Sequence, residues 1–70
     1  MITIDELEEY FKSAEVPEEI HLSSAEKITD VRKFIEGHLR TLRANSGQKA
    51  YLPYYERLRK VKELNERRVS

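Results

Sequence analysis

The chain has 70 residues, of which 39% are hydrophobic and 37% charged, with no cysteine and a formal net charge of zero. This length allows one small domain of marginal stability, and the lack of cysteine excludes disulfide bonds and thiolate chemistry. The first residues contain neither a basic region nor a long apolar run, so we expect no signal peptide and no membrane span.

Charge is unevenly distributed along the chain. Residues 1–38 contain ten acidic and four basic side chains, a net charge of −6, and residues 39–70 contain nine basic and three acidic side chains, a net charge of +6. One interpretation is a basic end that binds an anionic partner. We favour the other, in which the two halves attract each other within one fold, because a dedicated nucleic-acid binder usually carries a net positive charge.

The first predicted helix covers about residues 3–15. Thr3 and Glu6 have the spacing of a capping box, in which each side chain bonds the other residue's backbone N–H. Apolar side chains then recur at helical spacing at Ile4, Leu7, Phe11 and Ala14. Val16-Pro17 ends the helix, because the residue before a proline avoids helical backbone angles.

The connection over residues 16–29 is expected to be ordered. Apolar and polar residues alternate over 20–22, which predicts a short extended segment. Ser23 or Ser24 is placed to cap a single helical turn over residues 25–27. Four apolar residues here require burial: Val16, Ile20, Leu22 and Ile28.

The second predicted helix begins at Thr29 or Asp30, either of which can cap it. One stripe contains Val31, Phe34, Ile35, His38, Leu39 and Leu42. Gly37 costs about 1 kcal/mol relative to alanine inside a helix, and we expect a close helix crossing there to offset that loss. Asn45 or Gly47 can end the helix in the left-handed conformation.

The third predicted helix begins near Leu52, with Pro53 in its first turn, where a missing N–H does no harm. The side chains expected to point inward are Tyr54, Tyr55, Leu58 and Val61. Asn65 falls on the same line, so the apolar stripe fades there. Residues 66–70 are expected to fray.

His38 lies in the middle of the apolar stripe of the second helix. It can be interpreted as a general base or metal ligand, or as a neutral buried histidine bonded to a tyrosine hydroxyl or a backbone carbonyl. We favour the second interpretation, because nothing at helical spacing supplies a nucleophile or second carboxylate. Only His21 could join it as a ligand, whereas structural zinc usually takes four Cys or His. We therefore predict no catalytic residue, metal site or cofactor.

Tyrosines and basic residues crowd the start of the third helix, namely Lys49, Tyr51, Tyr54, Tyr55 and Arg57. Tyrosine and arginine are over-represented at protein interfaces. This surface predicts a non-enzymatic module that binds a protein partner or a second copy of itself. The alternative is that the rings only supply core volume. We expect one or two of them in the core and at least one partly exposed.

Nucleic-acid binding by the basic half is the second hypothesis. The second helix, the turn and the third helix can be drawn as a helix-turn-helix. The contacts would come from Gln48, Lys49, Arg57, Arg59 and Lys60, with Tyr51 beside them. The acid-rich first helix and the zero net charge argue against this hypothesis.

Several short motifs together resemble one family. They are Ile20-x-Leu22, Ile28-Thr29-Asp30-Val31, Lys33-Phe34-Ile35, His38-Leu39, Leu42, Asn45, Gly47, Leu52-Pro53-Tyr54 and Arg57-Leu58. With this spacing the chain resembles a family of short bacterial proteins known only as a domain of unknown function. The resemblance implies a stand-alone small protein and carries over no catalytic residue.

These patterns predict an all-α domain over residues 1–70, with three helices at about 3–15, 30–44 and 52–66. The short connection between the second and third helices makes them an antiparallel hairpin. The first helix closes the core, and the irregular connection covers one edge. The absence of cysteine fits a cytoplasmic protein.

Overall fold

The computed structural model describes residues 2–45 and 49–69, with only the backbone described at Val69. Helix α1 covers Ile4–Ser13, α2 covers Val31–Ala44 and α3 covers Leu52–Val69. Two short strands, β1 (Ile20–His21) and β2 (Lys27–Ile28), lie between α1 and α2, and a 3-10 helix over Lys49–Tyr51 leads into α3. The all-α prediction of three helices is confirmed.

The helix starts follow from local hydrogen bonds. Thr3 caps α1 in a complete capping box, with the Glu6 N–H donating to its hydroxyl at 3.1 Å. Asp30, one of the two predicted caps, accepts from the Lys33 N–H at 3.2 Å at the start of α2. Each cap satisfies a backbone N–H that has no partner within its own helix.

The core lies between the three helices. Its buried apolar residues are Leu7, Phe11, Ile28, Val31, Ile35, Leu42, Tyr55, Leu58 and Val61. The helices α2 and α3 pack antiparallel, because Phe34 in the first turn of α2 lies beside Arg57, whereas His38, one turn later, lies beside Tyr54. The predicted hairpin of helices is thereby confirmed.

The connection between α1 and α2 is an ordered β-hairpin. Ile20 pairs with Ile28 in antiparallel register, which confirms the extended segment. The single helical turn predicted over residues 25–27 is wrong, because Lys27 belongs to β2. The Glu26 N–H donates to the Ser23 carbonyl at 3.3 Å and closes a turn between the strands instead.

Two predictions for α2 need correction. A Cβ atom added to Gly37 would meet nothing within 4 Å, so no helix crosses closely there. Asn45 ends the helix with φ −115° and ψ 23°, outside the left-handed region, and both its backbone N–H and its Nδ2 donate to the Thr41 carbonyl. Gly47, the other predicted cap, lies outside the described residues.

The third helix differs from its prediction at both ends. Tyr54, expected to point inward, is 38% exposed because it sits in the first turn, beside α2 rather than over the core. At the other end, α3 continues to Val69 rather than 66, and Asn65 is only 1% exposed. Fraying of residues 66–70 stays a prediction, and Ser70 lies outside the described residues.

Candidate interaction surface

An aromatic strip of Phe34, His38 and Tyr54 runs along the seam between α2 and α3. The Phe34 and His38 rings stack with centroids 3.9 Å apart, and Tyr54 meets His38 edge-on at 5.2 Å. Phe34 and His38 are four residues apart and therefore neighbours on one face of α2. Since Tyr54 is 38% exposed and the other two rings are half-buried, the strip opens to solvent at its tyrosine end.

His38 is held by its own helix. Its Nδ1 lies 2.9 Å from the Phe34 carbonyl oxygen. A carbonyl oxygen only accepts, so Nδ1 carries a proton and donates it to this bond. Partial burial lowers the pKa of His38 below its ordinary value, and the Arg57 charge adds to this, while the carbonyl bond and Glu26 oppose it. The expected bond to a backbone carbonyl is thus found, but the ring is half-buried rather than buried.

Arg57 covers the other end of the strip. Its guanidinium carbon lies 5.3 Å from the centre of the Phe34 ring, within cation–π range. The same guanidinium pairs with the carboxylate of Glu26, in the turn of the β-hairpin. An open concavity of about 440 Å³ adjoins this pair and is lined by Lys33, Phe34 and Arg57 together with residues of the hairpin. The surface therefore combines aromatic rings with a cation that already holds a carboxylate.

The other tyrosines predicted for this surface lie elsewhere. Tyr55 is 5% exposed, and its hydroxyl donates to the Ile2 carbonyl, so it belongs to the core and not to the surface. Tyr51 is half-buried with its ring 6.2 Å from that of Tyr55. The expected division, with some rings in the core and one exposed, is therefore found. Leu52 is 48% exposed, but it lies two residues before Tyr54 and so points about 200° away around the helix.

The basic residues proposed as nucleic-acid contacts differ in their surroundings. Lys49 is exposed in the 3-10 helix, and Lys60 is exposed on α3. Arg59 forms an ion pair with Glu63 at 3.8 Å. Arg57 faces Phe34 and Glu26, as described above. Gln48 lies outside the described residues.

Sequence reasoning missed two members of the site. Phe34 was assigned only to the core stripe, although its four-residue spacing from His38 was a usable signal for ring stacking. Glu26 carried no signal, because its position depends on the β-hairpin folding against α3. Its contact with Arg57 is visible only in three dimensions.

The comparisons with known proteins give one result. A family model described as "Domain of unknown function (DUF6965)" matches residues 3–67. The chain belongs to this family. No curated protein and no solved structure matches the chain. The whole aromatic strip, Arg57 and Glu26 lie inside the matched part of this DUF6965 domain.

Two further observations concern the described part of the DUF6965 domain. Over residues 2–45 and 49–69, no three His, Asp or Glu side chains converge in an arrangement that could hold a metal ion. Within the same ranges, no helix has both the length and the apolar composition needed to cross a bilayer.

Proposed function

We propose that this protein is a non-enzymatic interaction module that binds a protein partner through the aromatic strip. The observation that carries the proposal is the exposed Tyr54 ring, which is packed against His38 and so held in place before any partner arrives. A ring that is already ordered loses little side-chain entropy on binding. Tyrosine and arginine are also among the residues enriched at interface hot spots.

The partner is a different protein or a second copy of this chain, and we propose that binding takes place in the bacterial cytoplasm. Of the residues first predicted for the surface, Tyr54 belongs to the strip and Arg57 covers its other end. Lys49 and Tyr51 lie just before α3. Tyr55 is left out of the proposed contact because it is buried.

The test is capture of partners by the tagged protein, compared between wild type, Tyr54→Ala and Leu52→Ala. Both variants truncate an exposed side chain in the first turn of α3, but only Tyr54 belongs to the strip. We expect Tyr54→Ala to lose the captured partner and Leu52→Ala to keep it. Circular dichroism and sedimentation equilibrium of each variant show that the fold is kept and whether the partner is another copy.

Retention of every captured protein by the Tyr54→Ala variant would refute the proposal. Equal losses with both variants would place the contact outside the strip and would refute it as well.

Nucleic-acid binding remains the second proposal. Aromatic rings beside basic residues can stack on single-stranded bases, and the strip has this composition. However, Arg43, Arg57, Arg59 and Lys62 each pair with a carboxylate, which reduces the charge offered to phosphates. Fluorescence anisotropy of a labelled duplex and a labelled single strand at low and moderate salt would test it. Phosphate binding must weaken steeply with salt because counterions are released.

A further inference from the structure

We infer that the partner presents an acidic segment to the seam between α2 and α3, and that Glu26 of the protein's own β-hairpin occupies the place of that partner's carboxylate in the free state. The inference rests on the proposed function and names the chemistry of its partner. It starts from a contact already made in the molecule, where Arg57 lies over Phe34 and holds the Glu26 carboxylate.

The Arg57–Glu26 contact shows which group this surface accepts. The N–H donors of arginine lie in the plane of the guanidinium and suit carboxylates. The flat face of the same group can stack on an aromatic ring. Side chains of both residues are near 40% exposed, Arg57 at 39% and Glu26 at 42%. A carboxylate from solvent can therefore reach the guanidinium, and the internal pair is weak enough to be exchanged.

The charges around the contact favour an acidic partner. Lys33 lines the same concavity as Phe34 and Arg57, and Lys60 lies one turn after Arg57 on α3. The two acids in the concavity are both engaged, Glu26 with Arg57 and Asp30 as the cap of α2. The remaining base there, Lys27, pairs with Glu19 at 3.0 Å. Once a partner displaces Glu26, the seam presents Arg57 and Lys33 beside the aromatic strip.

Apolar groups in the partner would complete the match. The ring of Tyr54 is exposed, and the space beside Gly37 is open, since an added Cβ would meet nothing within 4 Å. A segment that alternates acidic with apolar side chains could place carboxylates on Arg57 and Lys33 and apolar groups on the strip. A second copy using the same face is disfavoured, because it would bring Arg57 and Lys33 of both copies together.

The test uses a short synthetic peptide of repeating Glu-Leu-Glu-Phe units and a matched peptide with glutamine in place of every glutamate. Each is titrated into the ¹⁵N-labelled protein while amide shifts are followed. We expect the acidic peptide, and not the glutamine peptide, to shift the amides of His38, Tyr54 and Arg57, with weaker binding at higher salt. Equal binding of the two peptides, or no shifts at these amides, would overturn the inference.

Variants show whether Glu26 itself competes with the peptide for Arg57, or whether any loss of negative charge would change peptide binding. Glu26→Gln removes the internal competitor and should tighten acidic-peptide binding roughly two- to five-fold, the range expected for loss of one exposed ion pair. Glu63→Gln is the matched control, because it removes the same charge and releases Arg59 outside the strip. Arg57→Gln should abolish binding while circular dichroism stays unchanged. Equal affinities of Glu26→Gln and Glu63→Gln would overturn the inference.

Two further outcomes distinguish this inference from the proposed function. If Tyr54→Ala loses the cellular partner but Glu26→Gln and Arg57→Gln bind it as wild type does, the strip is an interface and only the acidic partner is refuted. If Tyr54→Ala keeps the partner, the proposed function itself fails. Tighter binding of a single-stranded oligonucleotide than of the acidic peptide at the same amides would overturn the inference in favour of nucleic acid.

Discussion

Asn65 is the buried polar side chain among the described residues, and its hydrogen-bonding groups are used. Its Nδ2 donates to the Tyr10 hydroxyl and to the Glu15 carbonyl, both at 2.9 Å, and its Oδ1 accepts from Arg68 Nε at 3.3 Å. The amide thus ties the last turns of α3 to the chain just after α1. A buried amide that is fully bonded fixes one arrangement of the elements it joins.

Replacing Asn65 should destabilise the domain. Asn65→Ala removes one of two donors to the Glu15 carbonyl, the other being Arg68 Nη2 at 3.2 Å, as well as the donor to the Tyr10 hydroxyl. It also leaves a cavity, so we expect a loss of roughly 1–3 kcal/mol in the free energy of unfolding. Urea denaturation followed by circular dichroism measures it, with Lys60→Ala on the exposed side of α3 as the control. Equal stability of Asn65→Ala and the control would show that the amide network contributes nothing.

Gly37 should be replaceable with a gain in stability. It lies inside α2, and a Cβ there meets nothing within 4 Å, so Gly37→Ala should raise the free energy of unfolding by about 1 kcal/mol. The measurement is the urea midpoint, and Ala44→Gly in the last turn of the same helix should shift it the opposite way. A lower midpoint for Gly37→Ala would mean that the bare backbone has a structural role that its surroundings do not reveal.

Within single helices and strands, the sequence predicted those features whose interacting residues are close together in the chain. The Thr3–Glu6 capping box and the Asp30 cap join residues three apart, so their spacing alone identifies them. The β-hairpin was only partly predicted, because its pairing depends on Ile28 being buried against the helices. The different burial of Tyr54 and Tyr55 was not predicted, since a one-residue shift in helix position decides which ring enters the core.

The end of α1 is held by a side chain from α2, a contact that sequence spacing does not reveal. Arg32, on α2, donates to the Phe11 carbonyl at 2.7 Å and to the Ala14 carbonyl at 3.0 Å, groups at the C-terminus of α1 that lack helical partners. Arg32→Ala should therefore lower the free energy of unfolding by about 1–2 kcal/mol, since hydrogen bonds from charged groups are among the stronger ones.

The Arg32 effect is measured by urea denaturation and localised by amide exchange. Faster exchange should be concentrated in the last turn of α1. Lys33→Ala, the exposed neighbour on α2, is the control. A uniform increase in exchange along the chain would contradict a local role for Arg32 at the end of α1.

At the scale of the whole molecule, the division of charge along the chain is matched by contacts between its halves. Arg43 of the basic half binds Asp5 at 2.7 Å and Glu8 at 2.6 Å, and Arg57 binds Glu26. The favoured interpretation of the −6 and +6 halves as mutually attractive is therefore consistent with the fold. The partners of Arg43 were not predictable from the sequence. Composition gives only the sum of charges, whereas the packing of α1 on α2 decides which side chains meet.

Reversing the charge of Arg43 should destabilise the fold because of the carboxylates around it, and not because the net charge of the protein changes. Arg43→Glu would place a third carboxylate beside Asp5 and Glu8, whereas Arg40→Glu changes the net charge equally on the same helix without breaking an ion pair of the described structure. We expect a lower melting temperature for Arg43→Glu than for Arg40→Glu, with the difference shrinking in 1 M NaCl (Debye length about 3 Å). Adding Glu8→Lys to Arg43→Glu should recover part of the loss, because an opposite pair is restored. Equal melting temperatures of the two single variants at low salt would show that attraction between the halves does not depend on this contact.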